Sequence, residues 1–150
     1  MLNPAFPPYY RKPIRIKIRV EEHGMKTGDY ALLEHEKDCL VERKGSLREV
    51  AGNCLTKDGV RRFTSQVTRL KKECKKPVLM LEGTPIDLQR ATKHVPEPGL
   101  ALDSFQRILF KHQITLALLP SSTVTARRAL GEWVARLLIN GALKNGLENE

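Results

Sequence analysis

Glu42-Arg43-Lys44 is the segment of this 150-residue chain with the clearest capacity for chemistry. On a strand, residues two apart share a face, so Glu42 and Lys44 look into one pocket while Arg43 points away. Asp29, opening a neighbouring strand, brings a second carboxylate to that pocket. Two carboxylates and an amine are what metal-assisted phosphodiester hydrolysis requires. Hard oxygen ligands hold Mg²⁺ or Mn²⁺, and the cation polarises the phosphate and lowers the pKa of bound water. The lysine positions or deprotonates that water and offsets charge developing on the phosphorus. Glu-x-Lys alone is common and often marks a solvated ion pair, so its weight depends on the elements that would position it.

Residues 1–13 contain Pro4, Pro7, Pro8 and Pro13 and read as an extended arm. Ile14, Ile16, Ile18 and Val20 alternate with Arg15, Lys17 and Arg19, which predicts a half-buried strand with a basic outer face. Gly24 and Gly28 mark a turn before the apolar run of residues 30–33. Residues 34–37 make a polar turn, and Cys39-Leu40-Val41 form another short strand. This hairpin sets Asp29 at the start of one strand and Glu42 at the end of the next. Ser46, with Glu49 three residues on, predicts a capped helix over residues 46–53. Asp58 is expected to cap a longer helix to about Cys74, with Val60, Phe63, Val67 and Leu70 as its apolar stripe. Its other faces are strongly basic, and Arg61, Arg62, Arg69, Lys71 and Lys72 are candidates for contact with a nucleic-acid backbone.

Residues 78–81 form a continuous apolar strand of the kind covered on both faces, and residues 114–119 a second apolar strand. Between them an amphipathic helix over residues 100–112 presents Leu102, Phe105, Ile108 and Leu109. A last helix starts at Ser121 or Ser122, ends at Gly141, and packs Val124, Leu130, Trp133, Val134, Leu137 and Leu138. The fold class expected is α/β, a central mixed sheet flanked by helices. It forms one domain over residues 14–141, with a polar tail at residues 142–150.

Bulk composition narrows the partners. Hydrophobic residues make up 41% and charged residues 29%, an ordinary globular mix. Twenty-six Lys and Arg against seventeen Asp and Glu leave a net charge of +9, which suits a polyanion such as DNA. Aromatics at 5% are too few for the stacking platforms of a single-stranded RNA reader. The three cysteines are odd in number and lack C-x-x-C spacing, which argues against a disulfide framework or a zinc site. Cys39 and Cys74 are expected as small core residues. No apolar run is long enough for a membrane span, so an intracellular protein, cytoplasmic or at the nucleoid, is expected.

An Asp followed at a distance by Glu-x-Lys is also the pattern of restriction-endonuclease-like nucleases. Gly28-Asp29-Tyr30 followed by Val41-Glu42-Arg43-Lys44 resembles, more narrowly, the core of XPF-type structure-specific DNA endonucleases. Their pattern runs Gly-Asp, a gap, Glu-Arg-Lys, three residues and Asp. The likeness continues through Arg62-Phe63, Gln66, Arg69-Leu70, Lys76-Pro77-Val78-Leu79, Leu81-Glu82-Gly83 and Leu118-Leu119-Pro120-Ser121-Ser122-Thr123, covering residues 25–139. It implies a restriction-endonuclease-like core and a Mg²⁺- or Mn²⁺-dependent endodeoxyribonuclease. Its substrates would be branched, flap or junction DNA in repair or recombination. By resemblance, Asp29 and Glu42 are metal ligands, Lys44 is the catalytic lysine, and Arg43 is structural or faces phosphate.

Two positions depart from the pattern. Arg48 stands where the trailing Asp belongs. If Gly45 is a one-residue insertion, Glu49 takes that place as a further ligand; otherwise the carboxylate is missing. The family's opening strand usually ends in an Asp and an Arg-Glu pair, where only Glu21-Glu22 offer acid here. Family members often rely on a helix-hairpin-helix module, for which this chain has no room, so a homodimer, a DNA-binding partner protein or loose specificity is expected. A compact nuclease of this kind suits a bacterium, a phage or another mobile element. The alternative is a catalytically inactive DNA-binding or scaffolding pseudonuclease, which Arg48 favours and the intact Asp29, Glu42 and Lys44 oppose.

Other residues weigh less. Glu82, closing a buried strand, either joins the pocket's network or is a satisfied structural carboxylate. His23, His35, His94 and His112 have no ligand spacing. Ser121-Ser122-Thr123 reads as a helix cap, not a nucleophile.

Overall fold

The computed structural model describes residues 17–143; the proline-rich arm and the end of the tail lie outside the described residues. Along the chain run β1 (Tyr30–Ala31), β2 (Cys39–Lys44), α1 (Leu47–Cys54), α2 (Lys57–Glu73), β3 (Lys76–Glu82), α3 (Pro85–Leu88), α4 (Pro98–His112), β4 (Thr115–Leu119) and α5 (Val124–Ala142). The strands form one sheet in the order β1-β2-β3-β4. β1 pairs antiparallel with β2, while β2–β3 and β3–β4 are parallel, so the sheet is mixed as expected.

Alternation of side chains along the central strands feeds two cores. Leu79 and Leu81 of β3 point to one face, where Val50 of α1, Phe63 and Val67 of α2, and Phe105 and Leu109 of α4 close over them. Phe63 and Phe105 stack there with ring centroids 5.5 Å apart. Cys39 and Val41 of β2 and Val78 and Met80 of β3 point to the other face, against Val134 and Leu138 of α5. β3, buried along its middle, is the doubly covered strand its apolar run predicts. The crossing of α1 and α2 is unusually close. A Cβ on Gly59 would lie 2.1 Å from the Gly52 carbonyl oxygen, so glycine is required there.

Several expectations need correction. Over residues 17–20 there is no strand, and Val20 is 86% exposed; residues 14–16 lie outside the described residues. Alternation supplies a face, but a strand also needs a hydrogen-bonded neighbour, and the two-residue β1 pairs only with β2 among the described residues. β4 lies at the edge of the described sheet and is less covered than β3: Thr115 and Leu118 are exposed, while Ala117 is buried against the α5 side. Trp133 is 44% exposed, not core: α5 buries the stripe through Val134 and Leu138, and its neighbour faces outward. The cap of α2 is Thr56, whose hydroxyl accepts from the Gly59 N–H, not Asp58. α5 is capped by Thr123, one or two residues later than expected, and runs to Ala142. Ser46 caps α1 as expected, but the Glu49 carboxylate reaches back to the Gly45 N–H.

Candidate active site

Asp29 owes its position to a backbone feature. Gly28 takes φ +76°, the left-handed region open to glycine at little cost, and turns the chain into β1. The Asp29 N–H donates to the Val41 carbonyl at 2.8 Å. Tyr30 lies opposite Val41, and with the Asp29 N–H also bonded to the Val41 carbonyl, Asp29 sits at the mouth of β1 beside the end of β2 that carries Glu42 and Arg43. Asp29 Oδ2 accepts the Arg43 backbone N–H at 2.7 Å, extending the ladder with a side chain where β1 has no carbonyl to offer.

Across from it, Glu42 and Lys44 share the β2 face that α1 and α2 cover. They are only 6% and 5% exposed. Burying both charges is unfavourable unless each is paired and hydrogen-bonded. Lys44 Nζ lies 3.4 Å from Glu42 Oε1 and donates to Gln66 Oε1 at 3.1 Å. Gln66 Nε2 donates in turn to Glu42 Oε1. Glu49 Oε1 is 3.4 Å from Lys44 Nζ, and the ammonium sits 5.6 Å from the centre of the Phe63 ring. Burial pushes the Glu42 carboxyl above its ordinary range, the Asp29 charge adds to that, and Lys44 opposes it. The repulsion between Asp29 and Glu42 is the electrostatic mark of two carboxylates held close together.

Those two residues suit a hard divalent cation. Among the described residues, hydrogen bonds orient one oxygen of each, Oδ2 of Asp29 and Oε1 of Glu42, and leave the second of each for another ligand. No group of three His, Cys, Asp or Glu side chains converges among the described residues, so the protein supplies a sparse ligand set. Glu21 and Glu22 do not add to it, being exposed, with Glu21 paired to Arg19 at 2.9 Å. Arg48 is exposed on α1, and the acid that reaches Lys44 is Glu49.

Arg43 faces the other way and pairs with Glu82 at the end of β3. Burial pushes the Glu82 carboxyl up, but hydrogen bonds from Arg43 and Ser121 and the nearby Arg43 and Arg127 charges outweigh it, leaving the group below its ordinary range. Glu82 is therefore a structural partner of Arg43 on the face opposite Lys44. The basic residues of α2 are all exposed, but helical geometry divides them. Arg62 and Arg69 lie four and three positions from Gln66 and share its flank. Arg61 and Lys72 point directly away from the buried stripe, and Lys71 lies on the far flank. Gln66 is the contributor whose part is not evident from the sequence. Its signal is positional: an uncharged polar residue beside the apolar stripe, three residues after Phe63 and four before Leu70.

A parallel-centred mixed sheet with helices on both faces, carrying Asp and Glu-x-Lys at one strand end, is a restriction-endonuclease-like arrangement. The family model described as the ERCC4 domain matches residues 10–127, and the chain belongs to that family of XPF-type nuclease domains. No match to a curated protein was found. Among the described residues no helix is long and apolar enough to cross a membrane.

Proposed function

We propose that this chain is an active Mg²⁺- or Mn²⁺-dependent endodeoxyribonuclease that cuts branched, flapped or junction DNA in repair or recombination inside the cell. The observation that carries the reading is a lysine sealed from solvent, paired with a buried carboxylate and set against a second one across a hairpin. Such a group is unfavourable in a purely structural role, and perturbed buried charges concentrate at functional sites. Asp29 and Glu42 would hold the cation, while Glu49 is engaged by Lys44 and the Gly45 N–H, and the cation would supply Lewis-acid polarisation of the phosphate and a more acidic bound water. Lys44 orients the attacking water and stabilises charge on the phosphate. Arg62 and Arg69 extend the site along one flank of α2 as phosphate contacts. Arg61, Lys71 and Lys72 meet more distant backbone, and Arg43 acts through Glu82 to hold β2 and β3 in register. A second copy or a DNA-binding partner protein supplies the remaining grip on the substrate.

A second reading, a DNA-binding pseudonuclease, draws on Arg48 and on the sparse ligand set. The deciding experiment is cleavage of labelled flap, branched and linear duplexes with Mg²⁺ or Mn²⁺, beside Asp29→Ala and Lys44→Ala. Metal-dependent cutting that both substitutions abolish is the expected result. Salt-sensitive binding without cutting in the unmodified protein would instead establish the pseudonuclease.

A further inference from the structure

We infer that Gln66 is a positioning residue whose side-chain amide clamps Lys44 and Glu42 in their working geometry. The inference deepens the nuclease reading and rests on it for its catalytic consequence, though not for the contact itself. The two polar ends of the amide do different things: Oε1 accepts from Lys44 Nζ at 3.1 Å, and Nε2 donates to Glu42 Oε1. The direct Lys44–Glu42 contact is longer, at 3.4 Å against 3.1 Å for Lys44–Gln66, so the amide is the nearer partner of Lys44 and bridges it to Glu42. An amide is suited to this place in a way that other residues are not. A carboxylate would accept from Lys44 but repel Glu42, and an ammonium would do the reverse. A neutral group offering one acceptor and one donor satisfies both partners and leaves the net charge of the site unchanged.

The clamp also ties the site to the fold. Gln66 lies on α2 beside Phe63, Val67 and Leu70, all at most 1% exposed, so its backbone is anchored in the core. Lys44 and Glu42 come from β2, and Gln66 fixes their side chains relative to a second element. A lysine has four rotatable side-chain bonds, and holding it by a rigid partner lowers the entropy lost when substrate arrives. Supporting contacts of this kind typically change metal affinity or activity by about 10–100-fold when removed.

The test compares Gln66→Met, close in length and without hydrogen bonds, and Gln66→Glu, which keeps the acceptor and loses the donor, with the unmodified protein. In ¹H–¹⁵N spectra the Gln66 side-chain NH₂ pair should resonate away from the position of a solvated glutamine and move in both Lys44→Met and Glu42→Gln. In single-turnover and steady-state cleavage, Gln66→Met should lower kcat by about 10–100-fold with KM for DNA little changed. Gln66→Glu should also lower kcat and shift the Mg²⁺ concentration for half-maximal cutting downward, through the added negative charge. An NH₂ pair at the solvated position, or one that neither partner substitution moves, would overturn the inference. So would a Gln66→Met protein that cuts at the unmodified rate. If the unmodified protein cuts nothing, the nuclease reading falls while the NH₂ resonances still decide whether the clamp exists.

Discussion

Lys44 and Glu42 are held where neither charge has much contact with water, so their energetic roles are coupled. Lys44→Met removes the cation and leaves the Glu42 carboxylate buried beside Asp29, whose charge already works against it. Breaking a buried pair from one side in this way costs about 3–5 kcal/mol. Glu42→Gln is milder, because Lys44 keeps Gln66 and Glu49 as partners and the repulsion from Asp29 disappears. The double variant Lys44→Met, Glu42→Gln should recover most of the loss, since no unpaired charge remains in the pocket. Urea denaturation of the four proteins measures the coupling as a double-mutant cycle. Equal losses in the single and double variants would mean that the pair is hydrated in solution and that burial does not govern it. The same cycle separates stability from activity, because the double variant is expected to be folded and unable to cut.

The position of α2 sets the distance from Gln66 to β2, and α2 is located by its contact with α1 at Gly59. Helix propensity alone favours Gly→Ala by about 0.5–1 kcal/mol, and here it competes with overpacking that costs about 1–3 kcal/mol. A Cβ 2.1 Å from the Gly52 carbonyl oxygen and 2.7 Å from Thr56 Oγ1 meets backbone and the helix cap, so the clash wins. Gly59→Ala should therefore destabilise, while Gly131→Ala in α5, with nothing within 4 Å, should stabilise by about 0.5–1 kcal/mol. Opposite signs in thermal denaturation are the expected outcome, and a stabilised Gly59→Ala would show that the helices separate freely. Elements with a strong local signal were legible in the sequence: α2 and α4 through their apolar stripes, β3 through its unbroken apolar run. The strand expected over residues 14–20 does not form at residues 17–20, because period-two alternation specifies a face and says nothing about a neighbour to pair with. The site was legible to the extent that strand alternation places Glu42 and Lys44 together and a hairpin brings Asp29. Gln66 belongs to the residues that carry the family likeness, but its role was not legible, because it depends on how α2 packs on β2, and no local pattern encodes that contact.

At the scale of the whole molecule, Cys39 and Cys54 sit on opposite faces of the sheet, one under α5 and the other among α1, α2 and α4. Burial pushes both thiols up to about 11 from an ordinary 9.0. Below about pH 9 both folded and unfolded chains keep these protons, and the thiols leave stability unchanged. Between about 9 and 11 the unfolded chain gives them up while the folded chain retains them, so stability falls as pH rises through that window. A double variant with Cys39→Ala and Cys54→Ala should lose less stability between pH 8.5 and 10.5 than the unmodified protein, and equal losses would contradict the assignment. At pH 8 neither thiol should react with an alkylating reagent until its own side of the sheet opens. The two sides are not equally secured. α5 buries Val134 and Leu138 and leaves Val124 and Trp133 exposed, whereas Cys54 lies in the larger core with Phe63 and Phe105. Labelling followed by mass spectrometry should therefore find Cys39 modified before Cys54, by local opening of α5 at a rate independent of global unfolding. Simultaneous modification at the global rate would show instead that the sheet and both helical layers open as one unit. In the expected case, the face that carries Glu42, Lys44 and Gln66 stays closed while the opposite face breathes, so the site resides in the more stable half of the fold.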